Sequence, residues 1–270
     1  MNTILLVQAL AIGIFSYLGG LQTPWLAGMT GGYYGVGRPL VAGLICGIIM
    51  GDITTGVVLG VAVQAAFIAN ISTGGSTNSE IIYAGYGGIG LGLVSHASTG
   101  VTVTLSILVG SLGLILYNII MVGNSFWNKR AEECASRGDT RGMFINHIIG
   151  AQIFQFILRA VPVALAVYFG ETFVNTILSI IPQQVISIMN VLGGLLPALG
   201  VALLMNLLIQ NKMNFIYFFA GFIILTFITK SMIALSVLAV LITFIVYNAS
   251  GQTVARDCVS TSNIDDDGVI

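Results

Sequence analysis

Across 270 residues, Asp, Glu, Lys and Arg supply only 7% of the chain, hydrophobic residues supply 56%, and the mean hydropathy is +0.99. A soluble domain carries about a quarter charged residues to coat its surface, so a globular domain bathed in water is excluded. The net charge of −1 leaves no electrostatic attraction for nucleic acid.

Charge is also segregated along the chain. No Asp, Glu, Lys or Arg occurs from Ile81 to Asn128 or from Thr172 to Asn211. A crossing takes roughly 20 apolar residues for a ~30 Å hydrocarbon core, so each stretch predicts two crossings, or one crossing plus a re-entrant element. The N-terminal run Ile4–Leu18 has no Lys or Arg before it and reads as an uncleaved first span. A Gly- and aromatic-rich stretch follows and ends at Arg38-Pro39. Proline disfavours the helical region for the residue before it, so a new element is expected to start at Pro39. The apolar run from Leu40 is then interrupted at Gly51-Asp52, which predicts a hairpin of two half-length helices or a re-entrant pair. Non-helical backbone at membrane depth is tolerated only against protein or a watery cavity, which makes that break informative.

Residues Asn70–Glu80 read NISTGGSTNSE, almost wholly small or polar. Gly85, Gly87, Gly88, Gly90 and Gly92 come next and predict close backbone approach in a bundle. A span is expected over Val101–Val122. Lys129, Arg130, Arg137 and Arg141 lie within Asn124–His147, the densest positive cluster, which places that segment in the cytoplasm by the positive-inside rule. A further span near Ile148–Phe169 carries Arg159 and Pro162, with a connection at Gly170–Asn175. The runs Val191–Ile209, Phe215–Thr229 and Met232–Tyr247 complete the hydrophobic chain. Both halves hold a proline-started run with a Gly-rich interior, from Pro39 and from Pro182, a faint echo of the paired broken segments of transporters. The expected fold is all-α, a polytopic transmembrane helical bundle with interrupted or re-entrant helices. It spans residues 1–250, and a flexible acidic tail covers 251–270.

The main candidate site joins Gln64 to Asn70, Ser72, Thr73, Gly74, Gly75, Ser76 and Asn78. Amides and hydroxyls both donate and accept hydrogen bonds without charge, as a sugar requires; the same residue types also build plain exposed turns. Asp52 reads either as a coupling acid or as the N-cap of the second half-helix, and the cap is favoured. Arg38 is placed to pair with Asp52 or Glu80 or to lie at the interface, and Arg159 to snorkel to the membrane surface. For either arginine, contact with a phosphorylated product or a partner subunit is the less favoured reading. His96 and His147 stand alone and read as interface residues. Cys46, Cys134 and Cys258 show neither metal-ligand spacing nor a disulfide framework. No phosphate-cradling loop, catalytic triad or metal motif is visible, so neither a cofactor nor catalysis by this chain alone is expected.

The stretch from Gly37 to Gly75, with Arg38-Pro39-Leu40, Met50-Gly51-Asp52-Ile53-Thr54-Thr55-Gly56 and Gln64 twelve positions after Asp52, resembles the membrane IIC subunit of the mannose/fructose/sorbose family of the bacterial sugar phosphotransferase system. Pro182, the run Met189–Gly200 and the charged loop NKRAEECASRGDTRG extend the resemblance over about residues 4–250. Many members of that family carry Glu where this chain has Gln64, a change that removes a negative charge and keeps the capacity to bind hydroxyls. The resemblance implies a multi-pass protein of the bacterial cytoplasmic membrane that joins a IID subunit in a translocation unit and forms a homo-oligomer of it. Separate IIA and IIB proteins would carry phosphate from phosphoenolpyruvate on histidines, and a hexose or amino sugar would be phosphorylated as it enters. Two other readings stand beside this one: an ion-coupled secondary transporter using Asp52 or Glu80, and a membrane partner subunit with no transport of its own.

Overall fold

The computed structural model describes residues 3–70, 79–180, 182–209, 214–228, 231 and 233–247. Among them every regular element is helical. The chain forms two compact units, Met1–Leu207 and Leu208–Ile270.

The first unit opens with α1, Thr3–Leu18, whose 16 residues measure about 24 Å. After an irregular turn, a π-helical segment, Met29–Val36, leads into α2, Pro39–Met50, with a bend of 70° between them. The element does begin at Pro39, which occupies the first helical turn, where a missing N–H costs nothing. Arg38 before it is extended, at φ −79° and ψ 139°. α2 ends where Gly51 adopts φ 85°, a left-handed cap that satisfies the Gly47 carbonyl. Asp52 then caps α3, Ile53–Ala66, by accepting the Thr55 N–H at 3.1 Å. At 12 and 14 residues, α2 and α3 measure about 18 and 21 Å, too short to cross alone. The predicted half-length hairpin is therefore present. Its arms touch backbone to backbone: a Cβ on Gly56 would lie 2.5 Å from the Gly43 carbonyl oxygen and 2.7 Å from the Gly47 Cα.

A second π-helical segment, Tyr83–Gly88, runs into α4, Ile89–Val94, and every residue from Glu80 to Leu93 is buried. A helix apolar all round belongs in the centre of a bundle, and the glycines set how tightly its neighbours approach. Gly88 faces Ser106 and Gly92 faces Thr102, both on α5, Thr99–Ser136; Gly90 faces Val167 on α7, Ala151–Ile180. α1 lies along α7, with Gly13 against Ala160 and Ala164.

Two expectations change here. α5 does not stop near Val122 but continues to Ser136; its 38 residues, about 57 Å, carry Lys129 and Arg130 past any hydrocarbon core. Lys, Arg, Ala and Glu are strong helix formers, so hydrophobicity ends there while the helix does not. α6, Thr140–Phe144, and a π-helical turn, Ile145–Gly150, then return the chain to α7. The expected connection at Gly170–Asn175 is absent, because α7 is continuous through it; Gly170 lies against Leu91 of α4, so this glycine serves packing.

α8, Gln183–Leu208, begins after Pro182 and is one continuous helix containing Pro197, so the echo between the two halves does not extend to a second hairpin. Its Asn190 accepts a hydrogen bond from Ser98, Gly193 rests on Gly100, and Gly200 meets the carbonyls of Ala65 and Ala66 at the end of α3. By length and composition Thr99–Ser136, Thr140–Gly170 and Gln183–Leu207 can each cross a membrane. The second unit contains α9, Asn214–Ile223, and α10, Ile233–Tyr247, both short, apolar and exposed. The expected acidic tail lies outside the described residues.

Candidate functional site

Gln64 projects from α3 two residues before its end, and its side-chain carbonyl is closed off from solvent with no hydrogen-bond donor. Because α2 and α3 are antiparallel, with Gly60 against the Pro39 carbonyl, Gln64 lies one turn further from the tip, toward the hairpin's open end. Asn70 donates to the Ser79 carbonyl at 3.2 Å and to its hydroxyl at 3.0 Å. That pair clips together the two ends of the polar segment. Ser72, Thr73, Gly74, Gly75, Ser76 and Asn78, the rest of the sequence-derived site, lie outside the described residues.

Glu80, the last residue of the polar segment, is 4% exposed, and its carboxylate accepts a hydrogen bond from Arg159 Nη1 at 2.8 Å. Its backbone N–H donates to the Gly110 carbonyl of α5 at 3.1 Å. Arg159 is fully buried in α7, with its guanidinium 5.6 Å from the centre of the Tyr83 ring; Tyr83 in turn donates to the Leu158 carbonyl at 2.9 Å. The snorkelling expected of Arg159 is thus overturned. A carboxylate within reach in the bundle offers more than a long path to the interface, because two opposite charges buried together stabilise each other. Arg38 pairs with neither Asp52 nor Glu80. It lies against the rings of Tyr33 and Tyr34, at 5.3 and 4.8 Å, an aromatic placement suited to a weakly hydrated guanidinium. Asp52 is the α3 cap and Glu80 is held by Arg159, so both carboxylates an ion-coupled carrier would use are already engaged.

Sequence reasoning missed a polar stripe on α7. Gln152, Gln155 and Arg159 recur at helical spacing and face the irregular turn after α1. Tyr17 donates to Gln152 at 2.9 Å, Trp25 donates to the Tyr17 hydroxyl at 2.8 Å, and Gln152 donates to the Gln22 carbonyl at 3.0 Å. Gln155, also fully buried, donates to Gln22 Oε1 at 3.1 Å. The signal was available: two amides and an arginine on one face of an otherwise apolar run. What this interior offers is neutral donors and acceptors with its buried charges paired, a setting for an uncharged polar solute.

The family described as "PTS system sorbose-specific iic component" matches residues 6–245. The mannose-specific EIIC component of the phosphotransferase system of Escherichia coli K12 is 26% identical over 148 residues, covering 54% of each chain, and that of Shigella flexneri matches to the same extent. The chain thus spans about half the length of the curated relatives it matches. Among solved structures, one titled "Structure of membrane protein" superposes with a TM-score of 0.77 at 21% identity, covering 92% of this chain and 96% of that one. The cryo-EM structure of the mannose transporter ManYZ with microcin E492 gives a TM-score of 0.54 at 21% identity, covering 90% and 95%. At that identity the likeness shows a shared fold.

Proposed function

The chain belongs to the sorbose-specific IIC component family of the phosphotransferase system, and on that premise we propose that it is the sugar-translocating permease subunit of a phosphoenolpyruvate-dependent complex. It binds a hexose or amino sugar in the bacterial cytoplasmic membrane. Together with a IID subunit it presents the sugar to a phospho-IIB protein, itself charged through IIA, and the phosphoryl group passes from the IIB histidine to a sugar hydroxyl during import.

The observation that carries this reading is the half-length hairpin with Gln64 near its open end, next in sequence to a polar segment clipped at its base by Asn70 and Ser79. Backbone broken at membrane depth lines a cavity or is buried in protein, and interrupted helices shape the solute sites of transporters. Gln64, Asn70, Ser72, Thr73, Gly74, Gly75, Ser76 and Asn78 form the proposed sugar-facing set.

The test is uptake of labelled hexoses and amino sugars in cells lacking their own sugar permeases, supplied with this chain, its IID partner and the IIA and IIB proteins. Uptake that requires phosphoenolpyruvate and falls with Gln64→Ala supports the proposal. Uptake that survives loss of IIA and IIB and follows a proton or sodium gradient refutes it.

A further inference from the structure

Arg159 uses one nitrogen on Glu80, and what remains is specific in shape. Its Nε and Nη2 are both buried and both without a hydrogen-bond partner. In a planar guanidinium these two N–H groups point from the same edge, the side-on pair that grips two neighbouring oxygens at once. One turn earlier on the same face of α7, Gln155 gives its amide N–H to Gln22 and leaves its buried Oε1 without a donor. Two donors and an acceptor, one helical turn apart on the same face of α7, are thus all shut away from water. Buried polar groups are nearly always satisfied, and each one left unpaired calls for an explanation.

We propose that this edge of Arg159, with Gln155 Oε1, is a second sugar-binding half-site, on α7, that takes two adjacent hydroxyls of an uncharged sugar; it rests on the sugar-permease reading. Vicinal hydroxyls present two acceptor oxygens to the guanidinium edge, and one of their O–H groups donates to Gln155. The bonded carboxylate of Glu80 cancels the charge of Arg159, so a neutral ligand fits better than an anion, which would also face that carboxylate. The turn after α1 covers the edge: a Cβ on Gly20 would lie 3.2 Å from Arg159 Nε. That turn continues into Leu26, Ala27 and Gly28, three successive residues at φ 55°, 61° and 62°. Left-handed backbone at two non-glycine residues is a costly conformation, and displacement of this turn opens the edge to the solute.

The test uses the purified chain in complex with its IID partner, titrated calorimetrically with mannose, fructose, sorbose and glucosamine, then with monodeoxy analogues of whichever binds. In wild type, loss of either gripped hydroxyl weakens binding by about tenfold, the scale of a lost hydrogen bond to a charged group. Arg159→Lys keeps the charge opposite Glu80 and lacks the two-donor edge. It binds the parent sugar about tenfold more weakly and no longer distinguishes it from those analogues. Where Arg159→Lys fails to assemble with its partner, Gln155→Leu, which leaves the ion pair intact, must flatten discrimination at one hydroxyl. A variant that keeps the wild-type pattern overturns the half-site while leaving the permease reading standing. Inorganic phosphate displacing sugar from wild type but not from Arg159→Lys makes it an anion site and overturns it equally. Wild type binding none of the four sugars removes the permease reading and the half-site with it.

Discussion

Removing one member of the Glu80–Arg159 pair should be far more damaging than removing both. Arg159→Met leaves a carboxylate that is 4% exposed with no cation against it, and Glu80→Leu leaves a fully buried guanidinium with no anion. Breaking a buried pair in this way costs about 3–5 kcal/mol, whereas replacing both partners by apolar residues of similar volume is often close to neutral. At about 2–4 °C per kcal/mol for domains of this order of size, each single variant should melt roughly 6–20 °C below wild type. The double variant should recover most of that loss, with a coupling of at least about 2 kcal/mol in the cycle. The assay is thermal denaturation of the purified complex, followed by loss of monodisperse protein in size-exclusion chromatography. Single losses that add in the double variant would show that the two charges act independently, and the 2.8 Å contact would then carry none of the energy assigned to it.

Gly56→Ala should destabilise the hairpin by about 1–3 kcal/mol, because its Cβ would press on backbone that side-chain movement cannot relieve. Gly194→Ala on α8, where a Cβ meets nothing within 4 Å, should be neutral or stabilising, and equal melting losses in the two variants refute the packing account. Asn70→Ala releases the ends of the polar segment at Ser79, and the half-saturation concentration for uptake should rise about tenfold. Unchanged uptake kinetics would remove Asn70 from the site. Asp52→Asn should keep both the α3 cap and sugar uptake, since Asn caps as well as Asp; abolished uptake in a stably folded variant would restore a chemical role to the carboxylate.

The hairpin was legible because its punctuation is local. Pro39 can start a helix, Gly51 can adopt a left-handed cap and Asp52 can cap the second arm, each from its own chemistry. The ends of α5 and α7 were not legible, because hydrophobicity reports where lipid stops and not where helix stops. Gly170 misled for a related reason: whether a glycine breaks a helix or lets Leu91 approach depends on a neighbour remote in sequence. The Glu80–Arg159 pair had a signal that went unused. Glu80 is the sole charged residue between Asp52 and Lys129, and Arg159 the sole one between Arg141 and Glu171. Opposite charges isolated in two apolar stretches have each other as the nearest available compensation. Gln152 and Gln155 were overlooked because amides are commonplace singly; their spacing with Arg159 becomes informative only once that face is known to point inward.

If the chain is the permease proposed above, the pairing of its buried charges bears on how it keeps what it imports. Within the first unit Asp52 caps a helix, Arg38 lies on two tyrosines and Glu80 holds Arg159; among the described residues the buried polar atoms left uncommitted are amide and hydroxyl oxygens and the far edge of Arg159, whose charge Glu80 already offsets. A neutral sugar exchanges water for those groups at little cost. A sugar phosphate carries a charge of about −1.5 to −2 near neutral pH, like other phosphate monoesters. Burying it without a free cation is prohibitive on the scale of several kcal/mol. The same neutral interior that admits the substrate should therefore refuse the product. Proteoliposomes holding the complex, without its phosphocarrier proteins, should let entrapped free sugar exchange slowly and retain entrapped sugar phosphate over the same interval. Escape of the phosphate ester at a rate comparable to the free sugar would mean that an unpaired cation lines the path, and Arg38 would be the first residue to replace.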